Sequence, residues 1–203
     1  MRRSVSICIA GGLLLMLGSS PGRSTTIRFE SLMDIEEEVV DNQFLCLGAD
    51  FADSAMGLSQ FAGSLKWGKF QPYSGDKVIH DSLGDCGTMR VDAVGAPWNV
   101  AGGYVTGDTV TTLTAYNAGG SVLATCATGG ANYVGVGTGL PPNIFLSVKG
   151  PGIAYGTLTG GGSSQTLDDS AFEAVCAPGA ILLAAFGAGI IGWLRRKKAL
   201  AWK

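Results

Sequence analysis

Three acidic residues at the two ends of the central region have the chemistry of a metal site. Glu30 lies near the start of that region, and Asp168 and Asp169 lie near its end. The first and last strands of a sandwich are often neighbours, and Ca²⁺ binds six to eight oxygen atoms at about 2.3–2.6 Å. We therefore expect a structural calcium ion that pins the chain ends. The alternative is that Asp168 and Asp169 cap strands or turns while Glu30 is solvated.

A group of aromatic residues suggests a ligand platform. Trp67, Phe70, Tyr73 and Trp98 lie in irregular, turn-rich sequence. Exposed aromatic faces stack on sugar rings, because the C–H groups of the sugar meet the π-face and apolar area is buried. We expect Trp67, Tyr73 and Trp98 to form this platform. The alternative is that these side chains cover the core or seal its ends.

No catalytic constellation stands out in the sequence. His80 is the only histidine, and no Gly-x-Ser-x-Gly motif accompanies it. Residues 63–70 almost match a phosphate-binding loop, but Phe70 stands where a Ser or Thr would hold Mg²⁺. We therefore expect a protein that is not an enzyme. A glycan hydrolase is the less favoured reading, and it requires two carboxyl groups about 5–10 Å apart in a cleft.

The elements that must position these residues are short strands. A β-branched run at 110–116, turn residues at 117–120 and a return at 121–124 predict a hairpin. Further strands are expected at 25–29, 44–51, 88–94, 133–136, 144–148, 153–159 and 165–172. Many short strands at spacings of about 8–12 residues are typical of a sandwich. We predict an all-β, two-sheet antiparallel, jelly-roll-like sandwich.

Composition supports a sheet protein and excludes one class of partner. The chain has 203 residues, 32 of them glycine, and only 15% are charged. The formal net charge is −2, so there is no basic field to attract nucleic acid. About 150 residues between the two ends suffice for one domain with its own core.

The cysteines leave the redox state of the domain open. Cys8 and Cys176 lie in the two terminal segments, and Cys46, Cys86 and Cys126 lie in the central domain. Outside the cytoplasm a disulfide is allowed. Three cysteines permit one bridge in several pairings, and the alternative is that all three are reduced.

The N-terminal segment has the pattern of a secretory signal peptide. Arg2 and Arg3 form a basic start, residues 7–17 are apolar, and small residues at 18–22 form a cleavage zone. We assign residues 1–24 to the signal peptide and residues 25–174 to an extracytoplasmic domain. The expected partners are the Sec translocon and signal peptidase.

The C-terminal segment has the pattern of a membrane anchor. Residues 180–194 are uncharged and apolar, and a basic run follows at 195–198. Fifteen helical residues rise about 22 Å against a hydrocarbon core of about 30 Å, and flanking residues and long basic side chains cover the deficit. The basic run predicts a cytoplasmic C-terminus. We therefore expect an exported protein held in the inner membrane by a transmembrane helix at 180–194. The alternative is a buried or amphipathic C-terminal helix.

Residues 175–203 resemble the PEP-CTERM sorting signal, which an exosortase processes. The resemblance rests on a short motif, an apolar helix and a basic end, and its residues are Val175, Pro178, Gly179, Arg195, Arg196, Lys197 and Lys198. Cys176 and Ala177 stand where that family has Pro and Glu. The resemblance implies an exosortase-like sorting enzyme as a partner and a destination at the cell surface or in the extracellular matrix.

The central region also resembles domains that precede such signals. The similar stretches are Phe29-Glu30, Tyr73-Ser74-Gly75, Val105-Thr106-Gly107 with Leu113 to Asn117, and Leu167-Asp168-Asp169. The resemblance implies a sandwich akin to carbohydrate-binding modules, in which structural Ca²⁺ joins acidic groups of the two chain ends. We expect the domain to bind surface polysaccharide. The alternative is a purely structural component of a biofilm or matrix, without a discrete ligand site.

Overall fold

The structure is a computed structural model that describes residues 23–33, 38–51, 55–59, 68–81, 87–160 and 165–174. Residues 1–22 of the predicted signal peptide lie outside the described residues. The predicted transmembrane helix and sorting motif, at 175–203, also lie outside them. Within the described part of the chain, no helix is long and apolar enough to cross a membrane.

The described residues form strands and two short 3-10 helices. The helices are Phe29–Ser31 and Asn42–Leu47. The strands are β1 Arg23–Ile27, β2 Glu38–Val39, β3 Ala49–Phe51, β4 Ala55–Ser59, β5 Lys77–Asp81, β6 Thr88–Ala93, β7 Trp98–Gly107, β8 Thr111–Tyr116, β9 Val122–Ala127, β10 Ile144–Ile153, β11 Tyr155–Gly160 and β12 Gln165–Ala174.

The strands form two antiparallel sheets. The seven-stranded sheet has the order β10-β7-β12-β5-β4-β2, and β1 also pairs with β12. The five-stranded sheet has the order β3-β6-β11-β8-β9. On one side of β12, β5 pairs with its first half, where Thr166 faces His80, and β1 pairs with its second half, where Ser170 faces Ile27. The predicted all-β, two-sheet antiparallel sandwich is confirmed, and the first and last described strands are neighbours.

The clearest local prediction is also confirmed. β8 and β9 form the expected hairpin, and the Asn117 side chain accepts hydrogen bonds from the backbone N–H groups of Gly119 and Ser121, at 2.9 Å each. Ala115 is fully buried and Leu113 packs against the core, as the alternation of β8 requires.

Three predicted strands are wrong over part or all of their length. The strand expected at 25–29 ends at Ile27, and Phe29 begins a 3-10 helix. Residues 44–47 belong to a 3-10 helix, which ends at Gly48 in the left-handed conformation with φ +88°, so only Ala49–Phe51 is a strand. Residues 133–136 form turns, because Gly135, Gly137 and Gly139 all have positive φ angles that interrupt an extended chain.

The core lies between the two sheets and is rich in aromatic side chains. Phe29, Phe44 and Phe51 meet edge to face, with centroids 5.5–5.7 Å apart. Trp98 is 1% exposed and stacks on Phe172 at 4.2 Å. Phe44 explains the 3-10 helix, because the helical turn directs this ring into the core while its neighbours remain exposed.

Two of the cysteines of the domain are described. Cys46 is exposed, Cys126 is partly buried, and both are free thiols. Cys86 lies outside the described residues, and the choice that the sequence left open, one bridge or three reduced cysteines, is not tested for it.

Candidate functional site

Residues 68–76 form a loop that crosses the outer face of the seven-stranded sheet. The carboxylate of Asp168 in β12 accepts hydrogen bonds from the backbone N–H groups of Tyr73 at 2.6 Å and Ser74 at 3.0 Å. The Ser74 hydroxyl donates to the Asp169 carboxylate at 2.8 Å. The side-chain amide of Asn143 donates to the carbonyl of Gln71 at 3.0 Å. The two aspartates therefore fix the position of the loop and of Tyr73.

The backbone of β12 explains how two successive aspartates can serve one loop. Asp169 has φ +41°, and the pairing with β7 shifts between Asp168 and Ala171. This bulge turns both carboxylates toward Ser74, and the Asp169 N–H donates to the Asp168 side chain at 2.7 Å. Burial raises the pKa of Asp168, while the hydrogen bonds that its carboxylate accepts from backbone N–H groups lower it.

A second pair of acidic residues holds the end of the same loop. The Glu30 carboxylate accepts a hydrogen bond from the Asp76 N–H at 3.1 Å. Burial and a hydrogen bond between the two carboxyl groups raise the pKa of Glu30. Gly75, with φ +61°, lies against the Glu30 carboxylate, and a Cβ atom there would overlap it. Lys77 donates to the carbonyls of Glu30 and Leu32, which ties the loop to the first 3-10 helix.

The predicted calcium ligands surround one loop, but they do not form one cluster. Asp168 and Asp169 bind residues 73–74, whereas Glu30 binds residue 76. Within the described ranges, no three Asp, Glu, His or Cys side chains are grouped as metal ligands. The oxygens of Asp168 are occupied by backbone N–H groups. The Glu30–Asp76 pair suits a cation better, since Asp76 Oδ1 is buried without a hydrogen-bond partner among the described residues and the Asp76 backbone binds the Glu30 carboxylate.

Three aromatic side chains, two of them exposed and one partly buried, form a group beside this loop. Tyr73 and Tyr104 stack with their ring centroids 3.4 Å apart and nearly parallel, at 8°. Phe145 lies 5.0 Å from Tyr104 at an angle of 56°. Tyr73 is 51% exposed and Phe145 is 47% exposed. We call these three residues the aromatic platform.

Strand register explains why the platform forms. Ala101 and Val105 of β7 and Leu146 of β10 are buried in the core, so Tyr104 and Phe145 project from the opposite face. Phe145 is the direct partner of Tyr104 across the strand pair. Gly102 leaves room for the Phe145 ring, because a Cβ atom at 102 would lie 3.2 Å from Phe145 Cζ.

The structure corrects part of the predicted platform. Tyr73 is exposed as expected, and Trp67 lies outside the described residues. Trp98 was predicted to bind ligand, but it points inward from β7 and stacks on Phe172 in the core. Tyr104 and Phe145 were missed. The alternation of buried residues in β7 and β10 could have placed them on an outer face, but only the strand pairing brings them together.

The outer face of the five-stranded sheet carries a comparable pair of rings. Tyr116 and Tyr155 stack at 4.7 Å and 10°. Arg90 lies 3.9 Å over the Tyr155 ring and forms an ion pair with Asp92 at 2.6 Å. These rings pack against neighbouring strands of their own sheet, and they supply matched controls for substitutions in the platform.

Comparison with known proteins leaves the family open. No protein-family model matches the chain, and no curated protein is significantly similar to it. Among solved structures, the chain is similar to the K2 cleaved adhesin domain of Lys-gingipain, with a TM-score of 0.43 and 19% identity over 74% of this chain and 99% of that chain. It is also similar to a DUF4465 family protein from Bacteroides caccae, with a TM-score of 0.44 and 10% identity over 79% and 96% of the two chains.

A third similar structure is CBM29-2, a family 29 carbohydrate-binding module, with a TM-score of 0.38 and 9% identity over 74% of this chain and 91% of that chain. Similarity at this level assigns no function to the chain.

Proposed function

We propose that the chain is a non-enzymatic protein of the cell surface or extracellular matrix whose β-sandwich binds polysaccharide through the aromatic platform. The single observation that carries this proposal is the grouping of Tyr73, Tyr104 and Phe145 on one sheet face, with the rings of Tyr73 and Phe145 exposed. The rings are held in advance by strand pairing and by the loop anchored to Asp168. A ligand that stacks on them therefore loses little affinity to the ordering of side chains.

The shape of the platform suits the apolar face of a sugar ring. The Tyr73–Tyr104 stack and the tilted Phe145 ring present two surfaces at an angle of 56°. An angled pair of surfaces fits a single, twisted glycan chain better than a flat crystalline array. The two tyrosine hydroxyls can exchange hydrogen bonds with sugar hydroxyls at the edge of the platform.

Export and membrane anchoring complete the proposal. They are supported by the apolar segments at 7–17 and 180–194 and by the basic run at 195–198. The chain would then use the Sec translocon, signal peptidase and an exosortase-like enzyme as partners. The intact mass of the mature protein from cells reports removal of both segments, and a full-length cytoplasmic protein would contradict this part.

A binding role is favoured over hydrolysis by the geometry of the acidic residues. Glycosidases place their two carboxyl groups about 5–9.5 Å apart across the scissile bond. Glu30 and Asp76 instead share a hydrogen bond, and both oxygens of Asp168 accept backbone N–H groups. These groups support the loop beneath the platform.

A structural calcium ion at the Glu30–Asp76 pair is a further part of the proposal. A bound cation would neutralise two carboxylates whose contact is unfavourable, and it would hold the loop of residues 73–76 against the first 3-10 helix. Its role would be to stabilise the platform, and Asp168 and Asp169 would support the loop without binding the ion.

The experiment that tests the function is affinity electrophoresis of the full-length chain in mild detergent, in gels that contain soluble polysaccharides. Tyr104→Ala and Phe145→Ala should each weaken binding about 2- to 13-fold, the equivalent of the 0.5–1.5 kcal/mol expected for an aromatic contact. Tyr116→Ala removes a stacked ring from the opposite sheet and should leave binding unchanged.

Binding of no polysaccharide would remove the proposed function and leave the structural matrix component as the alternative. Equal losses in the Tyr104→Ala and Tyr116→Ala variants would place the binding site elsewhere.

A further inference from the structure

Negatively charged side chains lie directly beneath the aromatic platform. Asp168 and Asp169 are 2% and 7% exposed; Asp168 accepts hydrogen bonds from the backbone N–H groups of Tyr73 and Ser74, and Asp169 accepts one from the Ser74 hydroxyl. The pKa of Tyr104 is raised, first by its hydrogen bond with Tyr73 and also by the negative charge of Asp169. The Asp169 carboxylate accepts the Ser74 hydroxyl at 2.8 Å, so its charge lies next to the residue that follows Tyr73. Because this carboxylate is buried, solvent ions screen it less than an exposed charge.

Among the described residues, few positive groups lie near the platform. Lys69 belongs to the same loop as Tyr73, but its ammonium group lies over the Tyr133 ring, 5.6 Å from the centroid. Lys77 is buried and donates to the carbonyls of Glu30 and Leu32. Arg28 follows β1, is exposed, and forms no ion pair within the described residues. Lys149 is on the same face as Phe145 but four residues along β10, which is about 13 Å and exceeds the Debye length of about 8 Å in physiological salt.

We infer that the platform selects neutral polysaccharides and excludes acidic ones such as uronate polymers. The inference rests on the proposed function and names the ligand class for the same site. A uronate sugar that stacks on Tyr73 or Tyr104 would place its carboxylate close to Asp168 and Asp169. A neutral sugar presents only hydroxyl groups there, and its binding is insensitive to this field.

Asp169 is the specificity-determining residue that can be tested most cleanly. Asn resembles Asp in shape and tolerates a positive φ angle, so Asp169→Asn keeps the bulge of β12. The amide oxygen can still accept the hydrogen bond from Ser74. The substitution removes one negative charge from beneath the platform and little else. Asp92→Asn removes the same charge from the outer face of the other sheet, and it is the matched control.

The test compares a soluble neutral β-glucan with polygalacturonate of similar length. Dissociation constants of the full-length chain are measured in mild detergent with EDTA, at about 20 mM and 500 mM salt. Wild-type protein should bind the glucan more tightly. Asp169→Asn should bind polygalacturonate about 2- to 5-fold more tightly than wild type at low salt, which is the order of magnitude expected for the loss of one nearby like charge in a mostly aqueous medium. The gain should shrink at high salt, and Asp92→Asn should show none.

Three results would overturn the inference. Wild-type protein that binds polygalacturonate as tightly as the glucan contradicts the selection, although the proposed function survives. A folded Asp169→Asn protein with an unchanged ratio of the two affinities contradicts the role of this residue. Binding of neither polymer removes the inference together with the proposed function. The preference of the wild-type protein for the glucan over polygalacturonate is measured without any variant. The inference can therefore be tested even if Asp169→Asn does not fold.

Discussion

Gly75→Ala should destabilise the protein by a mechanism that a second substitution can isolate. Gly75 has φ +61°, and the Glu30 carboxylate occupies the space that a Cβ atom would need. An alanine there carries left-handed backbone strain of about 1–2 kcal/mol. It also displaces Glu30 from the Asp76 N–H, and loss of a hydrogen bond to a charged group costs about 1.5–3 kcal/mol. Together these give an expected decrease of about 2.5–5 kcal/mol in the free energy of unfolding.

A double-mutant cycle with Glu30→Ala separates the two contributions. Glu30→Ala alone breaks the hydrogen bond to Asp76, and it also removes the obstacle to a side chain at position 75. In that background Gly75→Ala should cost only the backbone strain. The interaction free energy of the two substitutions should therefore be about 1–3 kcal/mol.

Urea denaturation followed by tryptophan fluorescence provides the assay, since Trp98 is buried in the folded state. The four proteins are compared at one pH, and equal denaturant slopes confirm that only stability differs. Costs that add to within about 0.5 kcal/mol would refute the reasoning, because they would mean that Glu30 does not occupy the space beside Gly75.

Three further predictions concern the core, pH and calcium. Gly156→Ala should raise the free energy of unfolding by about 0.5–1 kcal/mol, because the added Cβ atom enters a cavity of about 30 Å³ and lies 3.9 Å from Leu113 Cδ1. Gly103→Ala should lower it, because the added Cβ atom would lie only 2.6 Å from Leu167 Cδ1. The pKa values of Glu30 and Asp168 are raised in the folded state. Their contribution to the free energy of unfolding is therefore fully present below about pH 4 and is lost as the pH rises through the raised values. Glu30→Gln should flatten this part of the profile of unfolding free energy against pH. Calcium at 100 times its dissociation constant should raise Tm by about 5–10 °C in the wild type and much less in Glu30→Gln, and a Tm unmoved by EDTA or calcium would contradict the proposed ion.

Features that depend on neighbouring residues along the chain could be predicted from the sequence. The hairpin of β8 and β9 was predicted because Asn117 and the following glycines specify its turn. Asp168 and Glu30 were selected as acidic groups near the chain ends, and the structure places both against the loop of residues 73–76. Their actual partners are backbone N–H groups of that loop, which no residue pattern in the sequence indicates.

Tertiary pairing decides the features that the sequence did not predict. Trp98 and Tyr104 lie on one strand, and only the position of the core determines that the first is buried and the second faces outward. Phe145 is 41 positions from Tyr104 and becomes its neighbour through the register of β10 on β7. The 3-10 helix at Asn42–Leu47 forms where a strand was predicted, since the turn places Phe44 between Phe29 and Phe51.

The most direct test of the central claim is a titration of the protein with a soluble neutral polysaccharide, followed by the aromatic ring signals in ¹H–¹³C NMR spectra. The platform predicts saturable shifts for the rings of Tyr73, Tyr104 and Phe145, with no change for Tyr116 and Tyr155. Saturable shifts confined to the tyrosines of the five-stranded sheet, or no ring shifts despite measured binding, would contradict the assignment of the platform as the binding site.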